Sequence, residues 1–300
     1  MSRRKFSWTK HNLDKLNKVK IILKELDEYK PLTLRQIYYQ LVGKGYIENN
    51  KSQYTMLSTL LKNARIENLI DWSDMEDRVR VFNNYSGFED EIDFINNENY
   101  YFLENYKRNL LQTQDYIEIW IEKDALSTIF SKIAKQYTIP VVVCKGFSSV
   151  SFLNNLKDRA SNCNRKITML YFGDLDPSGM AMLEAMQTTL IDEMNVSNIE
   201  FKRKALELED VEKYNLPHNP DAVKAKDSRA KKYVEKYGDV AVELDALDPR
   251  VLEDKIEKAI LDEIDIDKFA TEKAIYLDEL IELKKLKDAT TEFIINYKNV

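Results

Sequence analysis

An α/β fold, with a mostly parallel sheet behind a helical amino-terminal segment, is what this sequence predicts, and three observations carry it. From about residue 115, strand-like runs alternate with stretches of helical length: YIEIWI, DALSTIFSKIAKQY, IPVVVC, SFLNNLKDRA, KITMLYF, MAMLEAMQTTLIDEM, IEFKRKAL and DVAVEL. Such alternation implies parallel strands joined by covering helices. The residues before it carry helix caps and helical periodicity instead. Finally, 300 residues at 44% hydrophobic content can bury a full core and accommodate two domains.

Taken in order, residues 11–29 read as a helix that Pro31 ends. Thr33-x-x-Gln36 is a capping box for the helix LRQIYYQLV, which stops at Gly43 and Gly45. A second helix starts at Ser52 and runs through YTMLSTLLKNARIENL, and LIDWSDMEDRVRVF follows as a β-like segment. Two short helices, a turn and a β-like segment read as a winged helix-turn-helix over residues 1–84. A plain helical subdomain is the competing reading. Lys62 and Arg65, three apart on the second helix, are the candidate phosphate contacts of a groove-binding helix. The sheet domain spans 85–300, with charged, helix-rich flanks at 88–111 and 250–298, the second packing on the sheet.

The overall charge of −6 is unevenly distributed: the first 80 residues hold 16 basic and 10 acidic side chains, the rest 29 and 41. A basic amino-terminal part on an acidic chain can mark a nucleic-acid-binding portion, and is also compatible with a solvated lysine-rich surface. No apolar run reaches transmembrane length, and MSRRKFSWTKHNLDK lacks the apolar core of a signal peptide. The expectation is a cytoplasmic protein without membrane contact. Cys144 and Cys163 form no C-x-x-C pair and read as small buried hydrophobes, while His11 and His218 have no ligand-type spacing around them.

The run KITMLYFGDLDPSG (166–179) empties an apolar strand into Asp174 and Asp176. In extended chain, residues two apart point to one side, so both acids can face one ion at the carboxyl end of a strand, where open α/β sheets bind ligands. Upstream, DYIEIWIEKDALSTIF reads as a strand ending at Glu122 and turning into a helix. Three carboxylates of this kind suit Mg²⁺, which keeps waters and phosphate oxygens in its shell, so a phosphate ester is the expected substrate. The spacing also matches the opening of a calcium loop, against which stand Ala185 at the twelfth position, where that loop needs a bidentate Glu, and the strand that precedes it. Asp-Pro-Ser-Gly also suits an ordinary turn into a helix.

On LRQIYYQL, Leu34, Ile37, Tyr38 and Leu41 form one apolar stripe, which makes Tyr38 a core residue. Arg35 and Tyr39 fall together on another face, one turn apart. A guanidinium thus neighbours a phenol that the core is not expected to need. A phenol ionises near pH 10 and is a weak nucleophile unless a cation or base favours its phenolate. Taken alone, Tyr39 reads as one surface tyrosine among 17.

Four segments, in order, resemble the A subunit of topoisomerase VI, the type IIB topoisomerase, and its relative the meiotic double-strand-break transesterase: TLRQIYY (33–39), WIEKDALSTIF (120–130), CKGFSS (144–149) and YFGDLDPSGM (171–180). The resemblance implies a winged helix followed by a Toprim metal-binding domain, a nucleophile at Tyr39 assisted by Arg35, and Mg²⁺ on Glu122, Asp174 and Asp176, with Lys145 of the basic-glycine turn on DNA. It further implies Mg²⁺-dependent double-strand cleavage leaving 5′-phosphotyrosine links. Double-stranded DNA is then the partner, in a homodimer, since one tyrosine per chain cannot cut both strands. An ATPase B-type subunit is the candidate further partner. With 38 residues before Tyr39 and no ATP-binding motif, the chain is most similar to the compact, stand-alone mini-A type. LPHNPDAVKAKDSR and VELDALDP resemble the family's carboxyl portion, but Asp227, Glu243 and Asp245 receive no chemistry and read as caps or salt-bridge partners. A hydrolytic Toprim nuclease with a structural Tyr39, and a DNA-binding protein without chemistry, are the alternatives.

Overall fold

A computed structural model describes residues 6–76, 87–144, 146, 148–219, 223 and 228–298. Its amino-terminal segment is helical. Thr9 caps α1 (Lys10–Glu25) by accepting the Asn12 amide, and a 3-10 turn at Asp27–Tyr29 leads to Pro31. Thr33 then opens α2 (Leu34–Gly43) with the expected reciprocal capping box: the Gln36 amide donates to Thr33 Oγ1 at 3.3 Å and the Thr33 amide to Gln36 Oε1 at 2.8 Å. The helix ends at the predicted glycines, Gly45 taking the left-handed φ of +68° that glycine accepts without strain. Asn50 caps α3 (Lys51–Ile66), one residue ahead of the expected start.

The β-like stretch after α3 differs from expectation. Its described part holds a 3-10 turn at Trp72–Asp74 and a single bridge between Leu32 and Met75. The remainder of LIDWSDMEDRVRVF lies outside the described residues. The flank at 88–111 carries α4 (Glu91–Tyr101).

Beyond it the α/β rhythm is realised. β1 (Tyr116–Ile121) is followed by α5 (Ser127–Ala134), β2 (Val141–Val143), α6 (Val150–Ser161), β3 (Ile167–Phe172), α7 (Pro177–Gln187), β4 (Ile199–Ala205) and α8 (Leu208–Tyr214). The four strands pair in the order β2-β1-β3-β4, all parallel. β1 and β3 are central and nearly uniformly apolar, as strands covered on both faces must be. Ile119 sits beside Leu170 and Ile121 beside Phe172 on one face, which packs on α5 and on the carboxyl-terminal helix Pro249–Leu261; Trp120 beside Tyr171 faces α6 and α7. The one acid within β1, Glu118, is fully buried on that second face and holds two charged hydrogen bonds from Arg159 and one from Trp120 Nε1.

After α9 (Ser228–Tyr237), DVAVEL does not extend the sheet. It touches it by one antiparallel bridge, Leu175 with Val242, and turns into a 3-10 segment at Leu244–Ala246. The chain closes with α10 (Pro249–Leu261) and α11 (Ile266–Lys298). The core on the α5/α10 face runs without interruption into α1, α2 and α3. Among the described residues no helix is long and apolar enough to cross a membrane.

The capping box is the local interaction that sets where α2 begins, and α2 carries Tyr39. Thr33→Ala is expected to lower unfolding free energy by about 1 kcal/mol, read as a shift of the urea midpoint with unchanged slope.

Candidate active site

Strand order decides where a site forms. The chain leaves β1 for β2 on one side and returns to place β3 on the other, so the carboxyl ends of β1 and β3 flank a topological switch point. Glu122 directly follows β1, and Asp174 and Asp176 follow β3. The Asp174 amide donates to Glu122 Oε2 at 3.0 Å, joining the two strand ends. Leu244 N–H donates to Asp174 Oδ1 at 2.8 Å, and Asp176 caps α7 by accepting the Gly179 amide at 2.7 Å. Two glycines permit this crowding. A Cβ on Gly179 would lie 2.6 Å from the Asp174 carbonyl oxygen, and one on Gly173 would lie 2.9 Å from Glu122 Oε2.

The positive charge inside the cluster comes from Lys123, which sequence reasoning passed over. Its Nζ lies 2.6 Å from Asp174 Oδ2, 2.7 Å from Glu243 Oε2 and 3.2 Å from Asp245 Oδ2. Glu243 and Asp245 are therefore members of the cluster, and both also ion-pair with Arg35 of α2. Arg203 is a further residue that spacing could not find. From β4 it donates to the Gly173 and Asp174 carbonyls at 3.1 and 2.7 Å, holding the acid-bearing loop from below. Lys123 had one legible signal, a cation next to a strand-end acid; Glu243 and Asp245, read from the sequence as caps or salt-bridge partners, are such partners, but which cations they meet is remote in sequence.

Burial, and then the neighbouring Asp174 charge, push Glu122 up to about 7. Asp176 is also raised, by burial first and Asp174 after it, against the lowering effect of the Gly179 amide. Asp245 is enclosed, and its Oδ1 has no hydrogen-bond partner. Among the described residues, no three His, Cys, Asp or Glu side chains are already gathered into a metal cage. The donor atoms at the two strand ends are carboxylate oxygens, the type a hard divalent cation takes, with both Asp174 oxygens engaged by Lys123 and by the Leu244 amide.

Tyr39 corrects one expectation. Its ring belongs to the core, at 5% exposure, edge-on to Tyr38 with centroids 5.1 Å apart and under the Arg35 guanidinium at 5.6 Å. The helical wheel assumed one packed side, whereas α2 packs against α1 and also against Leu244–Ala246. Burial pushes the Tyr39 hydroxyl far above the ordinary phenol range; Asp245 and Asp174 add to this and Arg35 opposes it. Arg35, Tyr39 and Glu243 line an open cleft of about 240 Å³ together with Lys51, Tyr54 and Asn219.

Arg35, with Tyr39 under its guanidinium, is thus linked to Asp174 through Glu243, Asp245 and Lys123, and Asp174 to Glu122 through its amide. The two expected groove contacts on α3 are not at this cleft: Lys62 is exposed, and Arg65 stacks over Trp72 at 5.2 Å. Lys51, at the start of the same helix, lines the cleft in their place. Lys145 and Asp227 lie outside the described residues. Cys144 and Cys163, read as buried, are only half-buried, against the α6/α7 core. No protein-family model matches this chain, and no curated protein matches it.

Two outcomes follow from this geometry. Because the folded Glu122 binds its proton more tightly than an unfolded carboxyl, its contribution to stability is complete below about pH 4 and is lost as pH rises through 7. In EDTA, wild type should therefore lose stability relative to Glu122→Gln between about pH 5 and 8, by on the order of 2 kcal/mol, as measured by denaturant titration at each pH. Gly179→Ala should destabilise by about 1–3 kcal/mol through its clash with the Asp174 carbonyl, with Gly43→Ala, where an added Cβ meets nothing within 4 Å, as the control.

Proposed function

We propose that this chain cuts double-stranded DNA by tyrosine transesterification, as an A-subunit-like protein of the type IIB topoisomerase class with a winged helix and a Toprim unit. The observation that carries the reading is the pairing of Arg35, one turn from Tyr39, with Glu243 and Asp245, which share Lys123 with Asp174. Nucleophile, arginine and acids thereby belong to one site in one chain.

In this reading Arg35 exchanges its carboxylate partners for a DNA phosphate, which its planar fork grips through two nitrogens. Lys51 at the rim of the cleft guides the backbone in. The Tyr39 oxygen, its proton lost to solvent, bonds to phosphorus while the bond from phosphorus to the 3′ oxygen breaks; that oxygen takes up a proton and leaves as a 3′-hydroxyl. The covalent link stores the ester energy, so the reverse attack reseals the strand. Glu122, Asp174 and Asp176 are the residues that would hold Mg²⁺, and when bound it would stabilise the charge developing on the phosphate and on the departing oxygen. Two copies, one per strand, give a double-strand break.

A hydrolytic nuclease has one observation in its favour: the Tyr39 hydroxyl is desolvated and its proton firmly held. In that reading Tyr39 is a packing residue, and water attacks the phosphate.

Incubation of the full chain with supercoiled plasmid and Mg²⁺, stopped with detergent, separates these. Transesterification predicts linear DNA with protein-linked ends, abolished by Tyr39→Phe and by EDTA. Asp176→Asn should reduce it about 10²–10³-fold. Free ends surviving Tyr39→Phe would establish hydrolysis, and metal-independent binding without cleavage would overturn both.

A further inference from the structure

β1 and β3 pair Trp120 with Tyr171 and Ile121 with Phe172, and the Glu122 amide extends the ladder by donating to the Phe172 carbonyl at 3.1 Å. Glu122 therefore lies beside Gly173. Residues two apart in a strand share a side, so Tyr171 stands one step behind Gly173 on the same face, and its ring runs up past that position because glycine leaves it room. A Cβ on Gly173 would meet the Tyr171 hydroxyl oxygen at 2.7 Å and Glu122 Oε2 at 2.9 Å. Hydroxyl and carboxylate thus border one small space, at most about two hydrogen-bond lengths apart. No hydrogen bond joins them directly. That is the span one bridging water covers.

The ring is firmly placed. Tyr171 is 1% exposed in the core beneath α6 and α7, and the Arg203 guanidinium stands 5.7 Å from its centroid while holding the Gly173 and Asp174 carbonyls. Its hydroxyl has no hydrogen-bond partner among the described residues. By contrast, the buried tyrosines Tyr29, Tyr137 and Tyr233 donate to Glu253, Glu257 and the Val240 carbonyl. A buried hydroxyl without a partner costs free energy that phenylalanine in its place would not, and native structures keep few of them. Fold stability therefore gives no reason for this oxygen. After burial itself, the Glu122 charge is the largest influence raising the proton affinity of Tyr171, which marks Glu122 as the acid the hydroxyl faces.

We propose that Tyr171 is a positioning residue of the acid site: its hydroxyl donates through one bridging water to Glu122 and holds that carboxylate in the orientation from which it takes a divalent cation. The phenol keeps its proton and touches neither cation nor DNA. Groups that orient a metal-binding side chain from behind set the affinity of the site, and losing one weakens it by about 10- to 100-fold. The inference rests on the Mg²⁺ site of the proposed reading and is independent of the covalent step at Tyr39.

Its test uses the full chain without DNA, with Mn²⁺ as the probe. Calorimetric titration gives the Mn²⁺ dissociation constant, and urea unfolding in EDTA gives the stability of the metal-free protein. Tyr171→Phe should leave the urea midpoint unchanged or raised, yet weaken Mn²⁺ by about 10- to 100-fold. Tyr137→Phe, which removes a hydroxyl bonded to Glu257 at 3.0 Å, should do the reverse, lowering the midpoint without altering Mn²⁺ affinity. Added to Glu122→Gln, Tyr171→Phe should weaken Mn²⁺ no further, because the hydroxyl acts through that carboxylate. Equal Mn²⁺ affinity in wild type and Tyr171→Phe overturns the proposal and leaves the metal site standing. A midpoint that falls in Tyr171→Phe as it does in Tyr137→Phe, with affinity unchanged, overturns it as well and makes the hydroxyl a structural group. Wild type that binds no Mn²⁺ overturns the metal site and this role together.

Discussion

The ammonium of Lys123 is the charge on which the arrangement of this molecule turns. Three carboxylates, Asp174, Glu243 and Asp245, converge at the end of a parallel sheet, where their mutual repulsion is poorly screened. Lys123 from inside and Arg35 from α2 offset it. The same network joins parts of the chain that have no local reason to meet: the turn after β1, the loop after β3, the segment Glu243–Asp245 and the amino-terminal helices. Glu122 feels Lys123 and the Asp174 amide as well, but burial and the Asp174 charge outweigh them and raise its proton affinity.

Backbone amides do the finer positioning. Asp174 N–H holds Glu122, Leu244 N–H holds Asp174 and Gly179 N–H holds Asp176. Each carboxylate is therefore oriented by main chain that the sheet and α7 already fix. Arg203 reinforces this from β4 by gripping the carbonyls of Gly173 and Asp174. The core packing of α2 is joined to this cluster by side-chain ion pairs instead, those of Arg35 with Glu243 and Asp245.

The remainder of the molecule follows the same division between buried constraint and surface chemistry. Both faces of the sheet are covered, one by α5 and α10 and the other by α6 and α7. Apolar surface that this core cannot use collects on α4 and α11, away from the acid cluster.

Sequence alone determined what is local. The strands β1 to β4, the Thr33–Gln36 capping box, the stop at Gly43 and Gly45, and the acids at two adjacent strand ends were all legible, because caps, periodicities and i, i+2 spacings act over a few residues. Only tertiary structure decided the rest. DVAVEL has a strand's composition, but the sheet edge is not where it lies, so it makes one bridge and then turns. Tyr39 has a helical-wheel position that suggests exposure, but α2 is packed on two sides and its ring is buried. Glu243 and Asp245 read as salt-bridge partners, but their cations, Arg35 and Lys123, are more than a hundred residues away, and Coulombic pairing over that separation exists only once the chain has folded.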